Sequence, residues 1–325
     1  MATAATSTTE HEYGQLREGC GLLDRSERGK LALSGPDAVE FLNGQVTNEL
    51  ADLLPGEGRY AAFLTHKGKM LGDLRVLAVP GQEGAIELLL DTERGALQAL
   101  FDMIRRFKVG YRVELHKRTL ELGLLSLIGP RAVEIAGADP GAEEHASARA
   151  DIAGVEALVV RTGEGLDAIC QAGDTELLAA ALRARGAVPV GEAAAECLRI
   201  ESGRPRYGLD LDDSVIPQEA GLNDRAVSFT KGCYVGQETV ARLFYKGKPN
   251  RQLRGIALSA PAASGEELRL AERVVGRLGS VTVSPRFGPI GLALVRREAD
   301  PGASVAVGDT GTSGRVVELP FAVSS

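Results

Sequence analysis

The pattern of the sequence changes near residue 250. Beyond that point the chain has short apolar segments separated by Gly and Pro, and no segment with helical periodicity. The strand candidates there are residues 253–258, 274–283, 290–295, 304–307 and 314–319. Short strands without helices bury their apolar faces by closing into a barrel or by stacking in two layers. The sequence therefore predicts a small terminal β-barrel or sandwich.

Before residue 250, signals for strands and helices are mixed. Apolar segments separated by turn residues predict a β-meander over residues 60–65, 71–79 and 85–90. Apolar residues at helical spacing then predict a helix that contains Leu97, Leu100, Ile104 and Phe107. Strands and helices continue to about residue 201 without strict βαβ alternation, which favours the α+β fold class.

The length of 325 residues is typical of two or three domains. The first nine residues, MATAATSTT, have neither an apolar run nor a basic segment, and we expect a disordered tail over residues 1–10. The mixed region over residues 11–245 is expected to form an α+β body of two interlocked subdomains. Residues 246–325 are expected to form the terminal β domain.

Charge and hydropathy exclude several classes of protein. The chain has 37 Lys and Arg against 44 Asp and Glu, a net charge of −7, so we expect no direct binding to nucleic acid through bulk charge. The longest apolar run, near residues 122–128, is far shorter than the roughly 18 residues of a membrane span. The N-terminal residues resemble neither a secretory signal nor an Arg-rich transit peptide.

The 4 cysteines lie far apart in the sequence and form no C-x-x-C pair. This spacing argues against a disulfide scaffold and against a self-contained zinc or cluster site. A reducing compartment is the natural setting for such thiols, so we expect a cytoplasmic protein. The 4 histidines show no H-x-x-x-H or H-x-E spacing, and we interpret all of them, including His145, as surface or turn residues.

The segment with the most specific chemistry is residues 231–242, KGCYVGQETVAR. Gly232 and Gly236 permit tight turns, and Glu238 with Arg242 has the i,i+4 spacing of a helix start. Cys233 would then precede a helix and lie near Lys231. Both features lower the pKa of a thiol and favour a reactive thiolate. The alternative is that Cys233 is a small buried apolar residue.

This segment is similar to the signature K-G-C-[YF]-x-G-Q-E-x-x-x-[KR] of the YgfZ folate-binding proteins. Every fixed position matches, namely Lys231, Gly232, Cys233, Tyr234, Gly236, Gln237, Glu238 and Arg242. Residues 33–50, 198–222 and 274–295 resemble the wider GcvT aminomethyltransferase superfamily. The resemblance implies a GcvT/YgfZ-like folate-binding α+β body of mixed strands and helices with a C-terminal β-barrel.

The resemblance also implies a function. YgfZ-type proteins support the assembly, repair or maintenance of iron–sulfur enzymes, such as radical-SAM tRNA methylthiotransferases, so iron–sulfur enzymes or cluster assembly proteins are the expected partners. The implied cofactor is tetrahydrofolate or a derivative, including polyglutamylated folate. One cysteine cannot hold a four-iron cluster alone, so we expect no stably bound metal on the monomer. Cys233 would share a cluster with a partner, act on a damaged cluster, or serve as a redox group.

Four residues are implied contacts of the folate. Glu201 matches the pterin-contacting glutamate of the superfamily in the pattern R-x-E-x-G-x-x-x-Y-G, and a carboxylate can accept N–H bonds from a pterin edge. Tyr207 of the same block is a possible ring neighbour. Arg225 and Lys231 complete the set, and Lys231 is also expected to assist the Cys233 thiol.

The main alternative is a folate-dependent aminomethyltransferase or demethylase-type one-carbon enzyme. Such enzymes carry an acid for methylene transfer, and the corresponding stretch here is residues 91–98. Asp91 stands where Asn is expected, and neither Leu97 nor Gln98 is acidic, so we expect the transfer acid to be missing. Whether the protein is an enzyme stays open, with a non-enzymatic role favoured. A third interpretation is an interaction scaffold with an idle folate pocket.

Residues 242–254 carry five basic side chains and no acidic one. The simplest interpretation is a solvated loop between domains. The more specific hypothesis is attraction of an anion, such as the polyglutamate tail of folate, an RNA backbone or an acidic partner.

Overall fold

The computed structural model describes residues 2–81, 84–309 and 311–322. Its helices are α1 (Ala2–Glu18), α2 (Ala38–Asn43), α3 (Leu97–Phe107), α4 (Ala132–Ala136), α5 (Thr175–Ala184), α6 (Glu192–Glu201), α7 (Asn223–Ala226) and α8 (Gln237–Lys246). Its strands before residue 200 are β1 (Gly21–Asp24), β2 (Gly29–Ser34), β3 (Gly58–Leu64), β4 (Met70–Pro80), β5 (Ile86–Thr92), β6 (Glu114–Lys117), β7 (Leu122–Ile128), β8 (Ser147–Ile152), β9 (Val155–Thr162), β10 (Gly165–Gln171) and β11 (Val188–Pro189). Helices and strands are mixed without strict alternation, which confirms the predicted α+β class.

The first sheet is antiparallel and has the strand order β3-β4-β5-β2-β6. Strands β3, β4 and β5 pair consecutively, so the predicted meander is confirmed. Helices α2 and α3 pack their apolar residues, such as Phe41, Leu100 and Ile104, onto this sheet in one buried core. The predicted helix begins at Leu97, and the last of its predicted apolar residues, Phe107, is 43% exposed.

The second sheet has the strand order β11-β1-β7-β10-β9-β8. Its described pairs are antiparallel except β1 with β11. Helices α4 and α5 contribute to the buried core of this sheet, with Ile135 and Leu178 among its members. The two open sheets together form the body of the molecule.

The C-terminal strands form a closed barrel, so the prediction of a barrel holds and a two-layer sandwich is excluded. The strands are β12 (Arg251–Leu258), β13 (Glu267–Leu270), β14 (Arg273–Ser284), β15 (Gly288–Arg296), β16 (Ser304–Val307) and β17 (Thr312–Val317). Their order around the barrel is β12-β15-β14-β13-β16-β17. The sequence analysis missed β13, because its four residues ELRL alternate with charged side chains and have no apolar run.

The expected domain limits at residues 10 and 245 lie within or near helices α1 and α8. Helix α8 ends at Lys246 and the barrel begins at Arg251, so the limit expected between residues 245 and 246 falls at the end of α8. Helix α1 extends over the segment for which a disordered tail was expected, and packs against α6. Met1, residues 82–83, residue 310 and residues 323–325 belong to the expected domains but lie outside the described residues. None of the described helices is both long and apolar enough to cross a membrane.

Candidate functional site

A cavity of about 220 Å³ lies between the two open sheets. Strand β4 contributes Asp73 and Arg75 to its wall, and the second sheet contributes Ser126 and Asp167. The wall is completed by α6 and by the segment from Arg204 to Tyr207. Every one of these elements also packs into a core of the body, so the cavity is held by rigid parts of the fold.

Two arginines and two carboxylates link the sheets beside this cavity. Asp91, which is fully buried, accepts hydrogen bonds from Arg28 at 2.8 Å and from Arg75 at 2.7 Å. Arg75 also forms an ion pair of 2.6 Å with Asp167 on the second sheet. Burial alone would raise the pKa of Asp91, but the two guanidiniums outweigh it and hold that pKa well below its usual range. Asp91 is therefore an ionised structural group and not an acid.

Asp73 is different from Asp91, although it lies on the neighbouring strand. Its Oδ2 accepts a hydrogen bond of 2.6 Å from the Tyr60 hydroxyl. Among the described residues no lysine or arginine forms an ion pair with it, and it is only 7% exposed. Burial therefore raises the pKa of Asp73 to about 6. A carboxyl group with this pKa can exchange a proton near neutral pH.

The sequence analysis did not find Asp73, because the expected acid was sought at residues 91–98. A signal was present, since Asp73 and Arg75 are charged residues at i and i+2 in an otherwise apolar strand. That spacing places both on one face of β4 and indicates a polar cavity there. The absence of an acid at Leu97 and Gln98 stays a prediction about that stretch alone, since the cavity wall has carboxylates from other segments, among them Asp73 of β4.

His145 was interpreted as a surface or turn residue, and the structure shows that this was wrong. It is only 7% exposed and lines the cavity. Within the described part of the chain, its Nδ1 has no hydrogen-bond partner. Burial lowers the pKa of His145 to about 4, and the nearby Arg75 adds to this effect, so the imidazole is neutral at physiological pH. The loop that contains His145 has no periodicity, which is why the sequence held no signal for it.

Two of the four implied folate contacts lie at the cavity. Tyr207 lines it directly. Arg225 also lines it, stands over the Tyr60 ring at 5.0 Å and forms an ion pair of 3.2 Å with Glu144. The same carboxylate pairs with Arg204 at 2.6 Å. The rim of the cavity thus carries guanidiniums that are held in place by acidic partners.

The other two implied contacts lie elsewhere. The Glu201 carboxylate is buried and accepts hydrogen bonds from Tyr13 of α1 at 3.0 Å and from Ser284 of β14 at 2.5 Å. It is not among the residues that line the cavity. The structure therefore assigns Glu201 to the junction of α1, α6 and the barrel, and not to the cavity wall.

Lys231 is buried in the loop before α8. Its Nζ donates to the backbone oxygens of Asn43 at 2.7 Å, of Val46 at 3.0 Å and of Asn48 at 2.6 Å, and also to Asn43 Oδ1 at 2.9 Å. Burial lowers the pKa of Lys231 to about 8. Because the ammonium is engaged by these oxygens, it holds the loop over residues 43–48 and is not directed at the Cys233 thiol.

Cys233 is exposed, whereas the other cysteines are buried. This excludes the interpretation of Cys233 as a small buried apolar residue. Helix α8 begins at Gln237, so Cys233 does precede a helix, as predicted. Gly236 caps that helix with a φ of 84°, and a Cβ there would lie 2.6 Å from the backbone oxygen of Thr65. The loop is thereby packed against the turn between β3 and β4.

The remaining motif residues surround this loop. Tyr234 is buried, with Lys231 Nζ 5.3 Å from its ring centroid. Gln237 donates to the backbone oxygen of Gly232 at 3.3 Å. Glu238 and Arg242 are exposed on α8, and no ion pair between them occurs in the described structure. The motif is thus a structural loop that presents one thiol to solvent.

The basic segment 242–254 is partly neutralised by residues distant in sequence. Arg251 pairs with Glu219 at 2.9 Å and Arg254 with Glu318 at 3.2 Å. Arg242, Lys246 and Lys248 are exposed. In the described ranges, no group of three or more His, Cys, Asp or Glu side chains is arranged to hold a metal ion.

Comparisons with known proteins give consistent results. The family model described as "GCVT N-terminal domain" matches residues 2–231. An aminomethyltransferase of Rubrobacter xylanophilus is 31% identical over 95% of the chain and 85% of its own length. A putative chloroplastic transferase of Arabidopsis thaliana is 30% identical over 93% of the chain and 71% of its own length. The glycine cleavage system aminomethyltransferase T of Bartonella henselae has a similar crystal structure, with a TM-score of 0.85, 25% identity, and coverage of 97% of this chain and 89% of that one.

Proposed function

The chain belongs to the GCVT N-terminal domain family, and from this premise we propose that its central cavity binds a reduced folate for one-carbon transfer of the aminomethyltransferase type. Relatives with that name match nearly the whole chain at about 30% identity, for example that of Rubrobacter xylanophilus at 31% over 95% of the chain. The observation that carries the proposal is Asp73, a buried carboxyl group with a pKa of about 6 in the cavity wall.

The cavity suits one end of a folate. Its volume of about 220 Å³ is below the roughly 300–1,000 Å³ of pockets that enclose drug-sized ligands, so it would hold a ring system with the remainder outside. A pterin ring offers N–H donors and ring nitrogen acceptors at its edge, and the wall has both carboxylates and guanidiniums to meet them. The anionic glutamate tail would lie towards the arginines of the rim, Arg204 and Arg225.

Asp73 is the residue to which we assign the proton transfer. A bound reduced folate supplies the nitrogen atoms that carry the one-carbon unit. Asp73 holds or accepts a proton at its carboxyl group, and the Tyr60 hydroxyl orients that group through the bond to Oδ2. Arg28 and Arg75 direct their hydrogen bonds to Asp91, so the charge of Arg28 lowers the pKa of Asp73 by less than burial raises it.

The experiment compares the wild type with Asp73→Asn and with Asp213→Asn, an exposed control. Tetrahydrofolate binding is measured by calorimetry, and formation of methylene-tetrahydrofolate is followed with an aminomethyl donor. We expect Asp73→Asn to bind tetrahydrofolate within a few-fold of the wild type and to lose about 10²–10⁴-fold in rate, as is usual for a lost general acid or base. A wild-type protein that does not bind tetrahydrofolate would refute the proposal, and so would full activity of Asp73→Asn.

A second candidate function is favoured by one observation, the exposure of Cys233 in a structured loop. The motif around it supports the role implied by the YgfZ resemblance, namely a folate-binding accessory protein that maintains iron–sulfur enzymes through this thiol. Its partners would be such enzymes or cluster assembly proteins. In this role Cys233 is needed for activity and a transfer acid is not.

Comparing the Asp73→Asn and Cys233→Ser variants in one assay separates these two functions. The test is rescue of iron–sulfur-dependent tRNA methylthiolation in bacterial cells that lack their own YgfZ-type protein, at matched expression. Rescue by Asp73→Asn but not by Cys233→Ser would favour the accessory role. If neither the wild type nor the variants restore tRNA methylthiolation, but the wild type forms methylene-tetrahydrofolate, only the transferase function is supported.

A further inference from the structure

We propose that helix α8 carries a docking surface for single-stranded RNA, formed by exposed aromatic rings and by cations without acidic partners. We call it the α8 surface, and it consists of Phe229, Arg242, Phe244, Tyr245, Lys246 and Lys248. None of these residues lines the cavity between the open sheets. The inference therefore goes beyond the proposed function and does not depend on folate.

The aromatic rings of the α8 surface are stacked in a fixed arrangement. The Phe229 and Phe244 rings lie within 14° of parallel, with centroids 3.7 Å apart, close to the roughly 3.4 Å between successive bases of a strand. Phe229 packs against the buried core that contains Tyr234, so the stack has a rigid base. Tyr245 contacts Phe244 edge to face and is 67% exposed. Exposed rings held in this way are platforms on which bases stack.

The cations of the α8 surface have no acidic partners. Residues 239–265 contain neither Asp nor Glu. Arg251 and Arg254 of this segment pair with distant carboxylates, whereas the three cations of the α8 surface are exposed and form no ion pair within the described part of the chain. The net charge of −7 opposes binding of a polyanion to the molecule as a whole, so the attraction is confined to this local excess of positive charge.

Rings and cations share one face of the helix. Arg242, Tyr245 and Lys246 have the spacing i, i+3 and i+4, so their side chains are neighbours on the surface of α8. A helix that lies in a membrane interface separates its apolar residues from its charged ones on opposite faces. The mixed face of α8 instead suits a strand in which each base is accompanied by a phosphate.

The composition of the α8 surface also distinguishes RNA from other anionic partners. Two of its three cations are lysines, which are depleted at interfaces between proteins. The proposed folate site has its own cations, Arg204 and Arg225, at the rim of the cavity. An anion that matches the α8 surface must bring aromatic rings with it, as a nucleic acid does and a chain of glutamates does not. Among nucleic acids, RNA is the one whose loops and ends commonly expose unpaired bases.

A first variant tests the ring. Tyr245→Leu keeps an apolar side chain but removes stacking, and its control is Tyr111→Leu, at an exposed tyrosine outside α8. Binding of a labelled RNA of about 12 nucleotides is measured by fluorescence anisotropy on the full chain. We expect a wild-type Kd of roughly 1–100 μM at about 50 mM salt. Tyr245→Leu should lose about tenfold in affinity for the single strand, whereas its affinity for an RNA duplex should stay within about twofold of the wild-type value, because paired bases are not free to stack.

A second variant tests the charges. Lys246→Gln combined with Lys248→Gln removes two free cations, and the control is Arg105→Gln combined with Lys117→Gln, at exposed positions of α3 and β6. Each phosphate contact contributes about 0.7 to the slope of log affinity against log salt for a single strand. We expect the slope to fall by about 1.4 in the lysine variant and to stay unchanged in its control and in Tyr245→Leu.

Several results would overturn the inference. One is a wild type that does not bind the RNA, and another is an equal loss of affinity in Tyr245→Leu and Tyr111→Leu. An unchanged salt slope in the lysine variant would show that the cations do not contact phosphates. Tighter binding to phosphatidylglycerol vesicles or to oligoglutamate than to RNA would assign the surface to a membrane or to an acidic partner, and a DNA strand of the same sequence that binds more than about tenfold tighter would exclude RNA as the ligand.

Discussion

The burial of Asp73 gives its carboxyl group a pKa near neutral pH, and the same burial lowers the stability of the folded protein. The carboxyl group is buried, and the side chain that donates to it in the described structure is the neutral Tyr60 hydroxyl. Ionising it in that position is unfavourable, which is why its pKa rises to about 6. Asp91 is buried to a similar degree, but two arginines compensate its charge. The difference between the two aspartates is a difference in partners.

Replacing Asp73 with Asn should therefore stabilise the protein, in a way that depends on pH. The folded state holds its proton up to about pH 6 and the unfolded chain releases it near 3.8, so wild-type stability falls as pH rises through this window. Asparagine does not titrate and can still accept the bond from Tyr60. We expect a gain of about 1–3 kcal/mol at pH 8 that vanishes near pH 4.

Urea denaturation of both proteins at pH 4 and pH 8 measures this gain. Asp213→Asn, which changes an exposed carboxylate, should leave stability almost unchanged at both pH values. A gain for Asp73→Asn that is equal at pH 4 and pH 8 would mean that its carboxyl group does not titrate in the expected window.

At the scale of elements, the strands and helices with regular apolar patterns were predictable, and the site was predictable only in part. The meander and five of the barrel strands have runs of apolar residues, which is the signal that burial leaves in a sequence. Strand β13 and the loop of His145 lack such runs. The positions of Glu201 and Lys231 depend on partners distant in sequence, such as Ser284 and Asn48, and no local pattern encodes those partners.

Lys231 joins two segments that have little regular structure of their own. Its ammonium donates to oxygens of Asn43, Val46 and Asn48 and so connects the loop after α2 to the loop before α8. Lys231→Met keeps the length of the side chain and leaves these buried oxygens without a donor. We expect a loss of about 2–3 kcal/mol in the free energy of unfolding, because several bonds to a charged group are removed.

The matched control is Lys246→Met, because Lys246 is exposed at the end of α8. This substitution should change the free energy of unfolding by less than about 0.5 kcal/mol. Hydrogen exchange gives a second readout, because residues 43–48 and 231–236 should both exchange faster in Lys231→Met. Unchanged protection of both segments would show that the lysine does not connect them.

At the scale of the whole molecule, Glu201 links three parts of the chain. Its side chain accepts bonds from α1 through Tyr13 and from the barrel through Ser284, and its backbone oxygen accepts from the Phe321 amide at 2.9 Å. The sequence indicated a body and a barrel but gave no signal for this junction. A carboxylate that receives donors from separate parts makes their stabilities interdependent.

Ser284→Ala should lower the free energy of unfolding by about 2 kcal/mol. The Ser284 hydroxyl donates to Glu201 at 2.5 Å and accepts from the amides of Arg286 and Phe287, so all three bonds are lost. Ser304→Ala, at an exposed position of β16, is the control and should have almost no effect.

The double variant of Ser284→Ala with Tyr13→Phe tests the link itself. Tyr13 and Ser284 both donate to Glu201 Oε1. The loss of unfolding free energy in the double variant should therefore differ from the sum of the two single losses by about 0.5 kcal/mol or more. Strictly additive losses in chemical denaturation would indicate that α1 and the barrel are stabilised independently.

The closure of the barrel also bears on how copies of this chain can associate during refolding. Among the described strands, each open sheet ends in two edge strands, whereas the barrel has none. Unpaired amides and carbonyls at a sheet edge can pair with a strand of another molecule, which is a common start of aggregation. The edge strands β6 and β8 carry charged side chains, as ELHK and SARADI, and such charges oppose that pairing. Self-association by strand addition is therefore a property of the body and not of the barrel.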